Sequence, residues 1–159
     1  MRHAPRIRRG RPGDGAAAFA VFHQAVHVGA ASFYSEEERD AWAPRDDMPH
    51  GWEDMLLSGT CLVAEDGRGR ITGFMTLADD GHLDLAYVLP EVMGKGVANA
   101  LYAGLERRAR QAGLVILTTG ASHLARRFLT GRGWRVIARQ SVIRNGVALT
   151  NFRMEKALK

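Results

Sequence analysis

Residues 90–99 read Pro90-Glu91-Val92-Met93-Gly94-Lys95-Gly96-Val97-Ala98-Asn99, between a β-rich run ending at Leu89 and the best helical pattern of the chain. Glycines at such a junction let consecutive backbone N–H groups turn toward one anion, and the N-terminus of the next helix adds partial positive charge. A pyrophosphate is the natural guest. A Walker loop needs G-x-x-x-x-G-K-[S/T], but Leu89 holds the first glycine position and Gly96 follows Lys95. A dinucleotide fingerprint needs G-x-G-x-x-G/A and a further β-α-β unit. Gly94 and Gly96 fit it, but Asn99 takes the third place and no second unit follows. What remains is [Q/R]-x-x-G-x-[G/A], with Gly96 and Ala98 as its last two members.

The elements around the loop follow from periodicity and punctuation. Upstream, Thr60–Glu65 and Arg70–Leu77 are β-rich and joined by the hairpin signal Asp66-Gly67-Arg68-Gly69; His82–Leu89 follows the Asp79-Asp80-Gly81 turn. Downstream, Ala98, Leu101, Tyr102, Leu105, Ala109 and Ala112 trace one apolar helix face, stopped by Gly113. Leu114–Thr119 is β-capable, and pairing it parallel to His82–Leu89 makes a β-α-β crossover. Ala121–Thr130 reads as a short helix. Trp134–Ile143 and Val147–Met154 flank Asn145-Gly146, the strongest short hairpin signal. Toward the N-terminus, Arg6–Arg9 reads as an edge strand, Asp14 as the cap of a helix carrying Phe19, Phe22, Val26 and Ala30, and Ser35 as the cap of a helix reaching Trp42. A further short helix covers His50 to Leu57. The sum is α+β: a mixed, mostly antiparallel sheet of about seven strands with helices on both faces, read as one domain over residues 1–159.

Composition bounds the function. The 159 residues are 46% hydrophobic and 25% charged, which excludes disorder, collagen and coiled coil. One cysteine, Cys61, gives neither a disulfide nor a metal pair, and a reducing cytoplasm is the expected location. No run approaches the 18 or so apolar residues of a membrane span. Lys plus Arg exceed Asp plus Glu by 22 to 17, and Arg2, Arg6, Arg8, Arg9 and Arg11 crowd the start. The excess calls for an anionic partner without saying which.

In order along the chain, these features resemble the GNAT superfamily of acetyl-coenzyme A-dependent N-acetyltransferases. Arg8-x-x-x-Pro12-Gly13-Asp14 looks like the family's opening strand-turn-helix, and Phe74–Leu77 and Leu83–Pro90 like its third and fourth strands. Ala125-x-x-Phe128 with Gly133-Trp134 looks like its late A-x-x-F-Y-x-x-x-G-F element. Two departures stand out: Met93 replaces the usual Gln or Arg, and Leu129 replaces a tyrosine that protonates the leaving thiolate.

The resemblance implies transfer of an acetyl group from acetyl-coenzyme A to an amine by direct attack in a ternary complex. Tyr87, Val88, Met93, Gly94, Lys95, Gly96, Val97, Ala98, Ser122, Arg127 and Phe128 would hold the cofactor, with Arg126 beside Arg127 and the Val88 N–H polarising the acetyl carbonyl. Asp84 is the first candidate base and His82 the second, on the reading that His82, Asp84, Ala86 and Val88 share a face; an arginine partner is the alternative role for Asp84. Tyr34 and Tyr87 are the available phenols for the missing acid, Tyr34 being placed among the catalytic residues. His27, Ser32, Phe33, Tyr34 and Trp42 would wall the acceptor pocket.

Competing readings are a non-catalytic coenzyme A-binding sensor, transfer of another acyl group, and a nucleic-acid binder without an identifiable reading module. No metal is expected: His23 and His27 have zinc-like spacing, but Gln24 replaces the catalytic Glu and no third ligand is evident. Cys61 reads as an inert core thiol. A small-molecule or peptide amine is the expected partner, and the terminal hairpin offers an edge for a homodimer.

Overall fold

The structure, a computed structural model, describes residues 4–45 and 47–159, so Arg2 lies outside the described residues. Among the described residues seven strands form one sheet: β1 (Arg6–Arg9), β2 (Thr60–Glu65), β3 (Ile71–Leu77), β4 (His82–Val88), β5 (Ile116–Ala121), β6 (Arg135–Arg144) and β7 (Val147–Ala157). Their spatial order is β1-β2-β3-β4-β5-β7-β6; the β4–β5 pair is parallel and the pairs β1–β2, β2–β3, β3–β4, β5–β7 and β6–β7 are antiparallel. The helices are α1 (Gly15–Gln24), α2 (Glu36–Trp42), α3 (Trp52–Leu56), α4 (Val97–Gln111) and α5 (His123–Thr130).

Most ends follow the local chemistry. Ser35 Oγ accepts from the Glu38 N–H while the Glu38 carboxylate accepts from the Ser35 N–H, a reciprocal cap that starts α2. Asn145 and Gly146, with φ of 48° and 79°, make the tight β6–β7 turn. Gly113 ends α4, and the Leu114 N–H reaches back to the Ala109 carbonyl. Leu114 therefore closes the helix, and β5 begins two residues later than expected.

Asp14 precedes α1 but does not cap it. Its carboxylate binds Arg8 at 2.8 and 3.0 Å and the Arg11 N–H at 2.8 Å. Glu53 of α3 takes the Gly13 and Gly15 N–H groups instead. Arg8 also meets Glu65 at 3.2 Å, so this arginine of the basic N-terminus is a strut between β1, β2 and α1.

One face of the sheet packs on α4 and α5, with Leu62, Leu101, Leu105, Leu117, Leu129 and Met154 in its core. The other packs on α1 and α3, around Val21, Trp52, Val63 and Phe74. Past Gln24, α1 widens into a π-helical turn over Ala25–Gly29. Cys61 is buried, and burial pushes its thiol up to about 11, which keeps it protonated and unreactive. Among the described residues, no helix is long and apolar enough to cross a membrane.

Candidate active site

The site begins where the sheet opens. β4 and β5 pair only at His82–Thr118 and Leu83–Thr119, after which the strands part. On its other side β4 stays on β3, but Leu83 pairs with Leu77 and Leu85 with Thr76, leaving Asp84 as an extra, bulged residue. The Thr76 hydroxyl accepts the Leu85 N–H at 3.0 Å, repairing the ladder there. Leu85 and Leu89 thus direct their N–H groups toward β3, the latter to the Thr72 carbonyl at 2.8 Å. By the two-residue alternation, Ala86 and Val88 present theirs to the gap.

The bulge also resets the faces. Leu83, Ala86 and Val88 pack toward α4, whereas Leu85 and Tyr87 pack toward α1. His82, Asp84, Ala86 and Val88 therefore do not share a face as the simple period implied. His82 lies at the closed end of the gap with Nδ1 2.9 Å from the Thr118 hydroxyl, and it lines neither cavity described below. Asp84 is exposed to the larger cavity and has no hydrogen bond or ion pair among the described residues; the alternative of an arginine partner does not arise.

Two cavities meet at the gap. One of about 200 Å³ lies between β4, the glycine loop, α5 and the π-helical turn, lined by Tyr87, Val88, Met93, Gly94, Ala98, Ser122 and Phe128 among others. The other, about 420 Å³, carries Tyr34, Trp42, Asp84, Tyr87, Arg144 and Asn151. Trp42, Ala86, Tyr87, Ser122, Ala125 and Leu129 line both.

The loop between β4 and α4 is bent by glycines with positive φ, 76° at Gly94 and 88° at Gly96. The N–H groups of Gly94, Gly96, Val97, Ala98 and Asn99 find no acceptor among the described residues. Unpaired amides at a helix start are a cradle for phosphate oxygens. Lys95 departs from the expectation in one respect, since its N–H bonds the Val92 carbonyl and only its exposed side chain faces solvent. Val97 contributes backbone alone, because its side chain is buried in the core.

Other expected contacts are absent. Arg127 is exposed and lines neither cavity, and Arg126 lies over the Phe152 ring at 4.6 Å. Ser122 lines both cavities while its hydroxyl caps α5 through the Ala125 N–H. Of the five acceptor-pocket candidates, Tyr34 and Trp42 line the larger cavity. His27 is tied to the Ala43 carbonyl at 2.7 Å, Ser32 is an exposed turn residue, and Phe33 stacks on His123. His23 lies against Phe19, its ring centroid 4.6 Å away.

The two phenols differ. Tyr34 donates to the Thr150 carbonyl at 2.7 Å and accepts the His123 N–H, so its proton is committed to holding α2 and α5 on β7. Burial raises its pKa above the usual phenol value. Tyr87 accepts the Trp42 indole N–H at 3.2 Å, and no described residue accepts its own proton. Burial holds the Tyr87 pKa high; the Trp42 bond opposes this, the Asp84 charge adds to it and the Arg144 charge subtracts. Tyr87 thus enters neutral solution as a protonated donor between the cavities.

Sequence reasoning missed Arg144 and Asn151. Both arrive because the β6–β7 hairpin folds back on α2, where Asn145 Nδ2 donates to the Ala41 carbonyl at 2.7 Å.

Comparison with known proteins agrees with this architecture. The sequence profile of the family described as an acetyltransferase (GNAT) domain matches residues 22–156. A GCN5-related N-acetyltransferase from Rhodopseudomonas palustris is 34% identical, with a TM-score of 0.92 over 99% of this chain and 98% of that one. The PaiA N-acetyltransferase of Thermoplasma acidophilum, solved with coenzyme A, is 19% identical with a TM-score of 0.73, covering 98% and 99% of the chains. YncA of Salmonella typhimurium, a putative acetyltransferase solved with acetyl-coenzyme A, is 22% identical with a TM-score of 0.69, covering 99% and 95%. A search of curated proteins found no match. With the profile spanning most of the sequence and the open β4 edge in place, the chain belongs to the GNAT family of acetyltransferases.

Proposed function

We propose that this protein transfers an acetyl group from acetyl-coenzyme A to an amine held in the larger cavity, by direct attack within one ternary complex. The observation that carries the reading is the meeting of two cavities along the unpaired edge of β4, with Tyr87 in the wall of both. The glycine loop fits a pyrophosphate through its free amides, and the Val88 and Ala86 edge fits the extended arm and acetyl carbonyl that follow it.

Bound acetyl-coenzyme A supplies an activated acyl carbon whose bond to sulfur breaks as the bond to nitrogen forms. An amine with a pKa near 10 is only about one part in a thousand neutral at pH 7. Asp84 holds the ammonium and takes its proton, directly or through water, a contribution of about 10²–10⁴-fold. Going from ammonium to amide the nitrogen loses two protons: the one Asp84 takes passes on to solvent, and the one shed once the C–N bond has formed ends on the released thiol.

Leu129 has no proton to give, and Tyr87 takes over the leaving-group side. A thiol has a pKa of about 8.5, below that of a phenol, so full transfer from tyrosine runs uphill. Tyr87 instead donates a hydrogen bond to the sulfur as charge develops, with Trp42 fixing the hydroxyl.

The test is a calorimetric titration with acetyl-coenzyme A, followed by detection of free thiol with an amine panel. Saturable binding and amine-dependent thiol release are expected. No binding, or thiol release independent of amine, contradicts the reading.

A further inference from the structure

The larger cavity is lined by one charge of each sign, and neither is matched by another described residue. Asp84 has no ion-pair or hydrogen-bond partner among the described residues. Arg144 forms no ion pair there either, and its one hydrogen bond is a 3.4 Å contact to the carbonyl of its neighbour Ile143. Asn151, on the next strand in the same wall, has a buried Oδ1 without a partner. Asn151 and Arg144 reach the cavity from one face of the β6–β7 ladder, where Asn151 pairs with Gln140 and Arg144 with Val147. Buried polar groups are ordinarily satisfied. A cavity of about 420 Å³ is the size that holds a small molecule.

An amine alone answers only Asp84. It leaves a guanidinium in the wall whose planar fork matches an oxyanion bidentately. A ligand with an ammonium at one end and a carboxylate at the other answers both charges at once, and of its two groups the ammonium is the one that can donate to Asn151 Oδ1. We infer that the acceptor is an amino-carboxylate, with its ammonium at Asp84 and its carboxylate at Arg144. This rests on the transfer reading of the same site and narrows its substrate class.

The hairpin supplies the logic. Arg144 is the last residue of β6, one before the turn that Asn145 pins to α2. The residue that recognises the anion is thereby delivered by the segment that closes the cavity.

The experiment compares matched acceptors on the full chain: an amino acid, its amide and the corresponding decarboxylated amine, over α- and ω-amino acids of increasing length. Binding is read by calorimetry with coenzyme A present, and turnover by thiol release. For the best-fitting length, the amino acid should exceed its carboxyl-free counterparts by about tenfold or more in both affinity and kcat/KM. In Arg144→Gln that ratio should fall to near one, and Arg144→Lys should recover part of it. Arg144 is exposed and at a strand end, so both variants should melt as the parent does. A ratio near one in the parent, or one unchanged in Arg144→Gln, overturns the inference. Efficient acetylation of carboxyl-free amines with no such preference overturns it while leaving the transfer reading intact. Failure to bind acetyl-coenzyme A removes both.

Discussion

The indole N–H of Trp42 donates to the Tyr87 hydroxyl at 3.2 Å, joining the end of α2 to β4 at the wall shared by two cavities. The contact uses a lone pair of the hydroxyl and leaves its proton free. Leu129, buried in the same wall, has no proton to donate, and Tyr87 is the phenol that lines both cavities. Replacing Tyr87 by Phe should keep the ring packing on Phe22 and Phe74 and remove only the donor. The expected result is a fall in kcat of about 10²-fold, the scale for losing one aimed hydrogen-bond donor. Acetyl-coenzyme A affinity, read by calorimetry, should change little.

Gly96 tests the loop. Its φ of 88° is costly for an L-residue, about 1–2 kcal/mol, although a Cβ there would meet no atom within 4 Å. Gly96→Ala should therefore lose coenzyme A affinity through a changed backbone and not through a clash. Gly67 also has open space but no positive φ, so Gly67→Ala should leave affinity and melting temperature as they are.

The Arg8–Asp14 pair tests the fold. Its hydrogen bonds from Arg8 hold the Asp14 pKa below the ordinary carboxylate value, outweighing burial. With a lowered folded pKa, the stabilisation is present above the unfolded value near 3.9 and is lost as pH falls through the folded one. Asp14→Asn leaves Arg8 short of a partner in a nearly buried site and should cost about 3 kcal/mol at pH 7. Denaturant titrations from pH 7 to pH 2 should also show a shallower acid loss in the variant than in the parent.

Asn145 tests the closure of the larger cavity. It has a φ of 48° and donates to the Ala41 carbonyl across 104 residues of chain. Asn145→Ala should cost about 1 kcal/mol for the lost bond, with more from the left-handed backbone. Steady-state kinetics should show acceptor KM rising more than acetyl-coenzyme A KM, because the hairpin lines the larger cavity, proposed for the acceptor, and not the smaller one.

What was legible in the sequence was local. The Ser35 cap, the Asn145-Gly146 turn and the glycines before α4 each act within a few residues, and each forms as read. The β-α-β crossover was legible because α4 has one clean apolar face. Less was legible at the site. A bulge at Asp84 cannot be seen in a strand's own period, since it depends on how β3 pairs with β4. Tyr34 looked like an acid until the fold supplied Thr150 as its acceptor, 116 residues away. Arg144 and Asn151 come from the last hairpin, and only its docking on α2 makes them neighbours of Asp84.

Direct transfer requires the amine and the thioester to be present together across the gap between β4 and β5. Initial velocities measured while both acetyl-coenzyme A and an amine acceptor are varied test that claim most directly. Intersecting double-reciprocal lines, with no acetylated protein detected by mass spectrometry after incubation without acceptor, are the predicted result. Parallel lines accompanied by an acetylated enzyme would contradict it.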